Sequence, residues 1–160
     1  MRRLALVLIF LAAPAASQGT GSLDATGRAA VKTGLELAAA ALANALVQSR
    51  DAAWAAGTQP MPPRIRSALL AWYPADLLDS IEYRVGIVDG SALQALSFHH
   101  GKADAMTLID TIIFADAKDA QTNVALWGHE VKHVEQVRAW GVLGFARAYV
   151  SDTLTDPGTG

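Results

Sequence analysis

The chain of 160 residues contains no cysteine. It therefore has no disulfides and no lipid anchor on an N-terminal cysteine, and its stability has to come from core packing, helped by any metal it binds. Charge is also scarce. Only 18% of residues are charged against 52% hydrophobic, a balance that favours one packed domain over disorder. No run of like charges marks a polybasic or acidic tail. The formal net charge is -2, and without Arg2 and Arg3 the chain has 11 basic residues against 15 acidic ones. Backbone binding to nucleic acid needs a cationic surface, so that class of partner is excluded. Long hydrophobic runs are missing as well: the one at the start, Leu4 to Pro14, falls short of the roughly 20 residues that span a bilayer, and no second such run is evident.

What is present at the start is ordered in a recognisable way. Arg2 and Arg3 precede the apolar run, and small residues follow at Ala13, Ala15, Ala16 and Ser17. This order is that of a cleaved secretory signal over residues 1–17, with a periplasmic or secreted product and no stable membrane anchor after cleavage. Residues 18–61 then form a polar, Gly-containing lead-in, an Ala-rich helix from about Arg28 to Ala56, and a Pro-rich linker. Leu35, Leu42 and Leu46 recur at helical spacing in that helix, which reads as a packing element without chemistry. Pro60, Pro62 and Pro63 break it.

Residues 62–160 form the part of interest. A short helix is expected from Arg64 to Trp72, with Ile65, Leu69 and Trp72 on one face, and Pro74 opens a further turn through Leu77, Leu78 and Ile81. Tyr83 to Val88 has a strand pattern ending at Asp89-Gly90, and MTLIDTIIF (Met106 to Phe114) reads as a strand or tight hairpin. The stretch between them, Ser91 to Ala105, fits no clear class. Asp116 or Asp119 can cap a helix running to Trp140, where Gly141 ends it, and a second helix follows from Val142 to about Leu154. The fold class is thus α+β and predominantly helical.

The chemistry lies on the helix before Gly141. At about 100° per residue, His129, His133, Leu126, Val137 and Trp140 share one arc, and Glu130 falls in the middle of the apolar arc next to His133 and Val134. A carboxylate facing a core costs several kcal/mol or takes up a proton unless something compensates. An arginine such as Arg64, Arg66 or Arg84 is the plain compensation. The alternative is His129-Glu130-x-x-His133 as a zinc motif: two imidazoles one turn apart bind one Zn²⁺, and Glu130 is the general base toward a water that the metal acidifies. That spacing is rare in so short a chain, and the zinc reading is preferred. Trp127 and Trp140 are expected in the core, and Lys132, Glu135 and Gln136 in the solvated arc.

A catalytic zinc takes three protein ligands. Gln136 and Ala139 stand where a metzincin would need Gly and His, and no glutamate follows Glu135 to complete a gluzincin. Asp152, on the helix that folds back after Gly141, is the expected third ligand. Tyr149 is a poor alternative, and His99 or His100 are further ones. The strand near Ile112 and Ile113 is expected to offer its edge to an extended substrate.

At GHEVKHVEQ the sequence resembles the bacterial extracellular contractile injection system core domain family, a zincin-like domain of unknown function. RSALLAWYPADLLDSIEYRVG is similar to that family's helical entry and strand, MTLIDTIIFAD to its hairpin, and WGVLGFARAYV to its following helix. The resemblance spans roughly Pro62 to Val150. It implies a minimal zincin-like core with a short hairpin and a central HExxH helix, a metallopeptidase acting on peptide or protein, and active-site roles for His129, Glu130 and His133. The closing DTLTDPGTG departs from members that continue into a Glu-containing helix. A non-catalytic binding or scaffold protein with an incomplete metal site is the rival reading.

Overall fold

The computed structural model describes residues 24–95, 97–98 and 103–155, the last three without side chains. The expected signal over residues 1–17, and His99 and His100, lie outside the described residues. The chain forms α1 (Ala25–Ala55), β1 (Gln59–Pro60), α2 (Pro63–Leu69), α3 (Ala75–Asp79), β2 (Glu82–Val85), α4 (Ala92–Ala95), β3 (Ala105–Leu108), β4 (Thr111–Phe114), α5 (Ala117–Thr122) and α6 (Val124–Thr155). It is an α+β fold dominated by helix.

The strands make one sheet in the order β1-β2-β4-β3. β2 runs parallel to β4, with Tyr83 opposite Ile112, and β1 and β3 pair antiparallel at the two edges. Pro60, which has no N–H to give a ladder, sits in the two-residue edge strand β1, where that loss is tolerated. MTLIDTIIF is a tight hairpin whose eight strand residues are all buried. Burial does not alternate along its strands because both faces of the sheet are covered. Tyr83, Ala105, Ile112 and Phe114 pack with Ile65, Leu69, Leu77, Leu78, Trp127 and Val131, while Met106, Leu108 and Ile113 pack with Leu46, Ala53, Val137 and Phe145. β4, carrying Ile112 and Ile113, is therefore central and paired on both sides. The open edge expected there belongs to β3 instead, because the crossover from β2 inserts β4 between them.

The hairpin turns on Ile109 and Asp110. Ile109 has φ 65°, a left-handed conformation that is costly for a β-branched residue. Contacts from α1 hold that turn in place: Arg50 Nε and Nη2 donate to Asp110 at 2.9 and 2.8 Å, and Trp54 Nε1 donates to Thr111 Oγ1 at 2.7 Å. The Arg50 guanidinium also stacks 4.4 Å from the Trp54 ring. Farther along the same helix, Gln94 Nε2 donates to Ser49 Oγ at 3.0 Å. By length and composition α1 reaches the membrane-spanning range, unlike the expectation that no such stretch follows the leader. Its C-terminal half is tied to the sheet and to α4 by these side chains.

The expected helix from Asp116 to Trp140 is in fact two. Asp116 caps α5, accepting from Lys118 N at 2.7 Å, and Asn123 breaks the run and restarts it as α6, its Oδ1 accepting from Leu126 N at 3.1 Å. Gly141 interrupts α6 with φ 71°, ψ 164°, a conformation open to glycine almost alone. Trp127 is fully buried, its Nε1 donating to Ala120 O at 2.8 Å. Trp140 is not in the core: it sits at the Gly141 corner and is 53% exposed. Trp72 is exposed too, because α2 ends at Leu69 before its turn of helix is reached.

Candidate functional site

His129, Glu130 and His133 lie on the first half of α6. His129 is exposed, His133 is half-buried and Glu130 is completely buried. The imidazole rings are 4.9 Å apart and nearly perpendicular, and their Nε2 atoms are 3.3 Å apart. Gln136 Oε1, one turn further on, accepts a hydrogen bond from His133 Nδ1 at 3.0 Å. With the amide oxygen as acceptor, this contact favours the His133 tautomer that carries its proton on Nδ1 and leaves a lone pair on Nε2, the atom nearest His129. Gln136 was expected in the solvated arc; its spacing of three from His133 is the signal that it orients the ring.

Among the described residues no arginine pairs with Glu130. Arg66 pairs with Asp79, and Arg84 donates to Ala56 O and Gly57 O. Instead, Thr107 Oγ1 on β3 donates to Glu130 Oε2 at 2.7 Å and lies 3.0 Å from its backbone O. Glu130 Oε1 is buried without a hydrogen-bond partner. Burial pushes the Glu130 carboxyl up, and the Thr107 hydroxyl and the neighbouring His129 offset only part of that rise. Sequence reading missed Thr107, since nothing in an apolar hairpin distinguishes a threonine that satisfies a distant carboxylate.

Beyond Gly141 the second half of α6 folds back over this face. Phe145 packs edge-on to His133 at 5.8 Å between centroids, and Tyr149 is tilted against Phe145 at 6.2 Å. Tyr149 lines the same cavity as Glu130 and His133, and burial pushes its phenol up, so it is neutral. Asp152, the expected third ligand, is exposed near the end of α6. Among the described residues no third His, Cys, Asp or Glu joins the histidine pair in a group able to hold a metal.

The donor pair itself suits zinc. Two nitrogens bound to one tetrahedral zinc at about 2.0–2.1 Å lie about 3.3–3.4 Å apart, which is the separation found between the two Nε2 atoms. The unpartnered Glu130 Oε1 beside them is the kind of buried polar atom that an ion and its water would satisfy.

A family model described as the eCIS core domain matches residues 60–141. The chain belongs to the eCIS core domain family. No curated protein and no solved structure matches it. The matched segment of the eCIS core domain runs from β1 to the Gly141 break, so it contains the sheet, α2, α3 and the His129-to-His133 turn. α1 and the second half of α6, with Leu42, Leu46, Phe145 and Tyr149, flank that segment and close over the site from outside it.

Proposed function

We propose that this eCIS core domain protein is an exported, zinc-dependent metallopeptidase with the minimal core of a zincin. The observation that carries the reading is the 3.3 Å separation of two imidazole nitrogens, one of them on a ring held by Gln136, with a buried carboxylate on the same helix that has one oxygen without a hydrogen-bond partner. His129 and His133 hold the ion. When bound, zinc supplies the Lewis acidity that polarises a peptide carbonyl and makes a nearby water a better nucleophile at neutral pH.

The residues of the chain do the rest. Thr107 holds Oε2 of Glu130, Oε1 keeps its acceptor capacity, and the burial that raises the proton affinity of this carboxyl suits it to take a proton near neutral pH. Glu130 removes a proton from the attacking water as the C–O bond forms, and returns it to the departing amine as the C–N bond breaks. The half-buried face of His133, under Phe145, keeps bulk water from that side. Export rests on the leader-like order of residues 1–17.

The rival is a non-catalytic zincin-like binding or scaffold protein, favoured by the absence of a third ligand among the described residues. Hydrolysis of a mixed peptide library by the zinc-loaded protein, alongside Glu130→Gln, separates the two. The peptidase reading expects cleavage by the wild type and a fall of at least about 100-fold in the variant, whose zinc content is unchanged. Cleavage at equal rates in both proteins would refute Glu130 as the base, and no cleavage in either would leave the scaffold reading.

A further inference from the structure

Leu42 and Leu46 of α1, Leu93 of α4, Met106 of β3, and Phe145 and Tyr149 of α6 enclose a cavity with Thr107, Glu130 and His133 at its polar end. About 40 Å³ within it is open to the centres of water-sized spheres, roughly the room of three waters or of one branched three-carbon group. Its walls are almost wholly apolar, so water gains few partners there, whereas an aliphatic side chain loses its hydration at no cost in hydrogen bonds. At the polar end lies Glu130, whose buried Oε1 has no hydrogen-bond partner among the described residues.

We propose that this cavity is the side-chain subsite of the enzyme, and that it selects a small aliphatic residue, of the size of alanine or valine, next to the scissile bond. The proposal rests on the peptidase reading above, because it is the carboxylate of Glu130 that places the cavity beside the reacting carbonyl. Size sets the upper limit: a phenyl or indole ring exceeds the room between Leu46, Leu93 and Phe145. Charge sets the other, since an acidic side chain would lose its hydration against apolar walls. Five of the nine lining residues, Leu42, Leu46, Leu93, Phe145 and Met106, supply the apolar walls. Three of those, Leu42, Leu46 and Phe145, lie outside the matched family segment, so the selectivity belongs to this chain's own flanking helices.

The test is methyl NMR of the full metal-free protein, titrated with N-acetyl-valinamide, N-acetyl-phenylalaninamide and N-acetyl-aspartamide. The valine compound is expected to give saturable shifts at the methyls of Leu46, Leu93 and Met106, and the other two none. Leu93→Phe, which fills the cavity from a partly buried position, is expected to weaken valinamide binding about ten-fold or more. Leu42→Ala, which widens it, is expected to admit the phenylalanine compound. Absence of valinamide shifts in a protein that hydrolyses peptides when zinc-loaded would overturn the subsite and leave the peptidase reading standing. Saturable, size-selective shifts without hydrolysis would support the cavity as an aliphatic site while sinking the peptidase reading. Equal shifts from all three compounds would overturn the selectivity.

Discussion

Replacing Thr107 with valine removes one hydroxyl and leaves a side chain of nearly the same shape on a buried strand. Among the described residues that hydroxyl is the single side-chain hydrogen-bond partner of Glu130, at 2.7 Å from Oε2, and the other carboxylate oxygen has none. The variant therefore leaves a fully buried carboxylate without a hydrogen bond. A bond to a charged group contributes about 1.5–3 kcal/mol, and valine's better fit to a strand returns only a few tenths. At roughly 2–4 °C per kcal/mol for a chain of this size, the melting temperature of the metal-free protein should fall by about 2–11 °C at pH 7. The pH dependence gives an independent check. Without the hydroxyl, burial holds the Glu130 carboxyl further above its ordinary value. A carboxyl raised in the folded state costs stability when ionised, so the deficit is full above its folded pKa and shrinks as pH falls toward the ordinary carboxylate range. Thermal denaturation of wild type and Thr107→Val at pH 7 and pH 4.5 measures both quantities, and Thr107→Ser should restore most of the loss. A melting temperature within 1 °C of wild type at pH 7, or a deficit that grows on acidification, would refute the reasoning.

Three further outcomes are expected. Arg50→Ala should cost about 1–2 kcal/mol by freeing Asp110 and the Ile109 turn, read by chemical denaturation. Burial pushes the Asp110 carboxyl up, but the Arg50 hydrogen bonds and charge outweigh it and hold the carboxyl below its ordinary value; the contribution is therefore full above the unfolded pKa and lost as pH falls through the folded one, so the stabilities of variant and wild type should converge as pH falls below the ordinary carboxylate range. Gly141→Ala should lower stability by about 1–3 kcal/mol and loosen the second half of α6, seen as faster amide exchange around Phe145 and Tyr149, because φ 71°, ψ 164° excludes a Cβ. Gln136→Leu should weaken zinc affinity about 10- to 100-fold while leaving the fold intact, since it frees the His133 ring to rotate and change tautomer.

The parts of the fold legible in the sequence are those where local chemistry decides. Gly141 ends one helical run because no other residue adopts its conformation readily, and Pro60 and Pro63 bracket the entry to α2 because each fixes φ. MTLIDTIIF reads as a strand or tight hairpin through the β-branched residues on both sides of its central Asp-Thr, and it is the hairpin. The 100° step along α6 correctly places Glu130 inward among Trp127, Val131 and Val134. The same step fails for Trp140, because periodicity tells which side of a helix a residue occupies but not how far the core extends along it. The split at Asn123 was hidden because an asparagine mid-run is a modest helix former until its side chain caps the next turn. Partners distant in sequence were illegible for a different reason. Thr107 reaching Glu130, Arg50 reaching Asp110, and Leu42 and Leu46 closing over His133 all depend on how α1 and β3 cross α6, and only the assembled fold sets that crossing.

The most direct test of the central claim is the zinc content of the purified protein after dialysis against trace zinc, measured by elemental analysis beside His129→Ala/His133→Ala. The account predicts about one zinc per chain in the wild type and none in the double variant, which should keep its helical spectrum. No zinc in the wild type, or the same zinc in both, would contradict it.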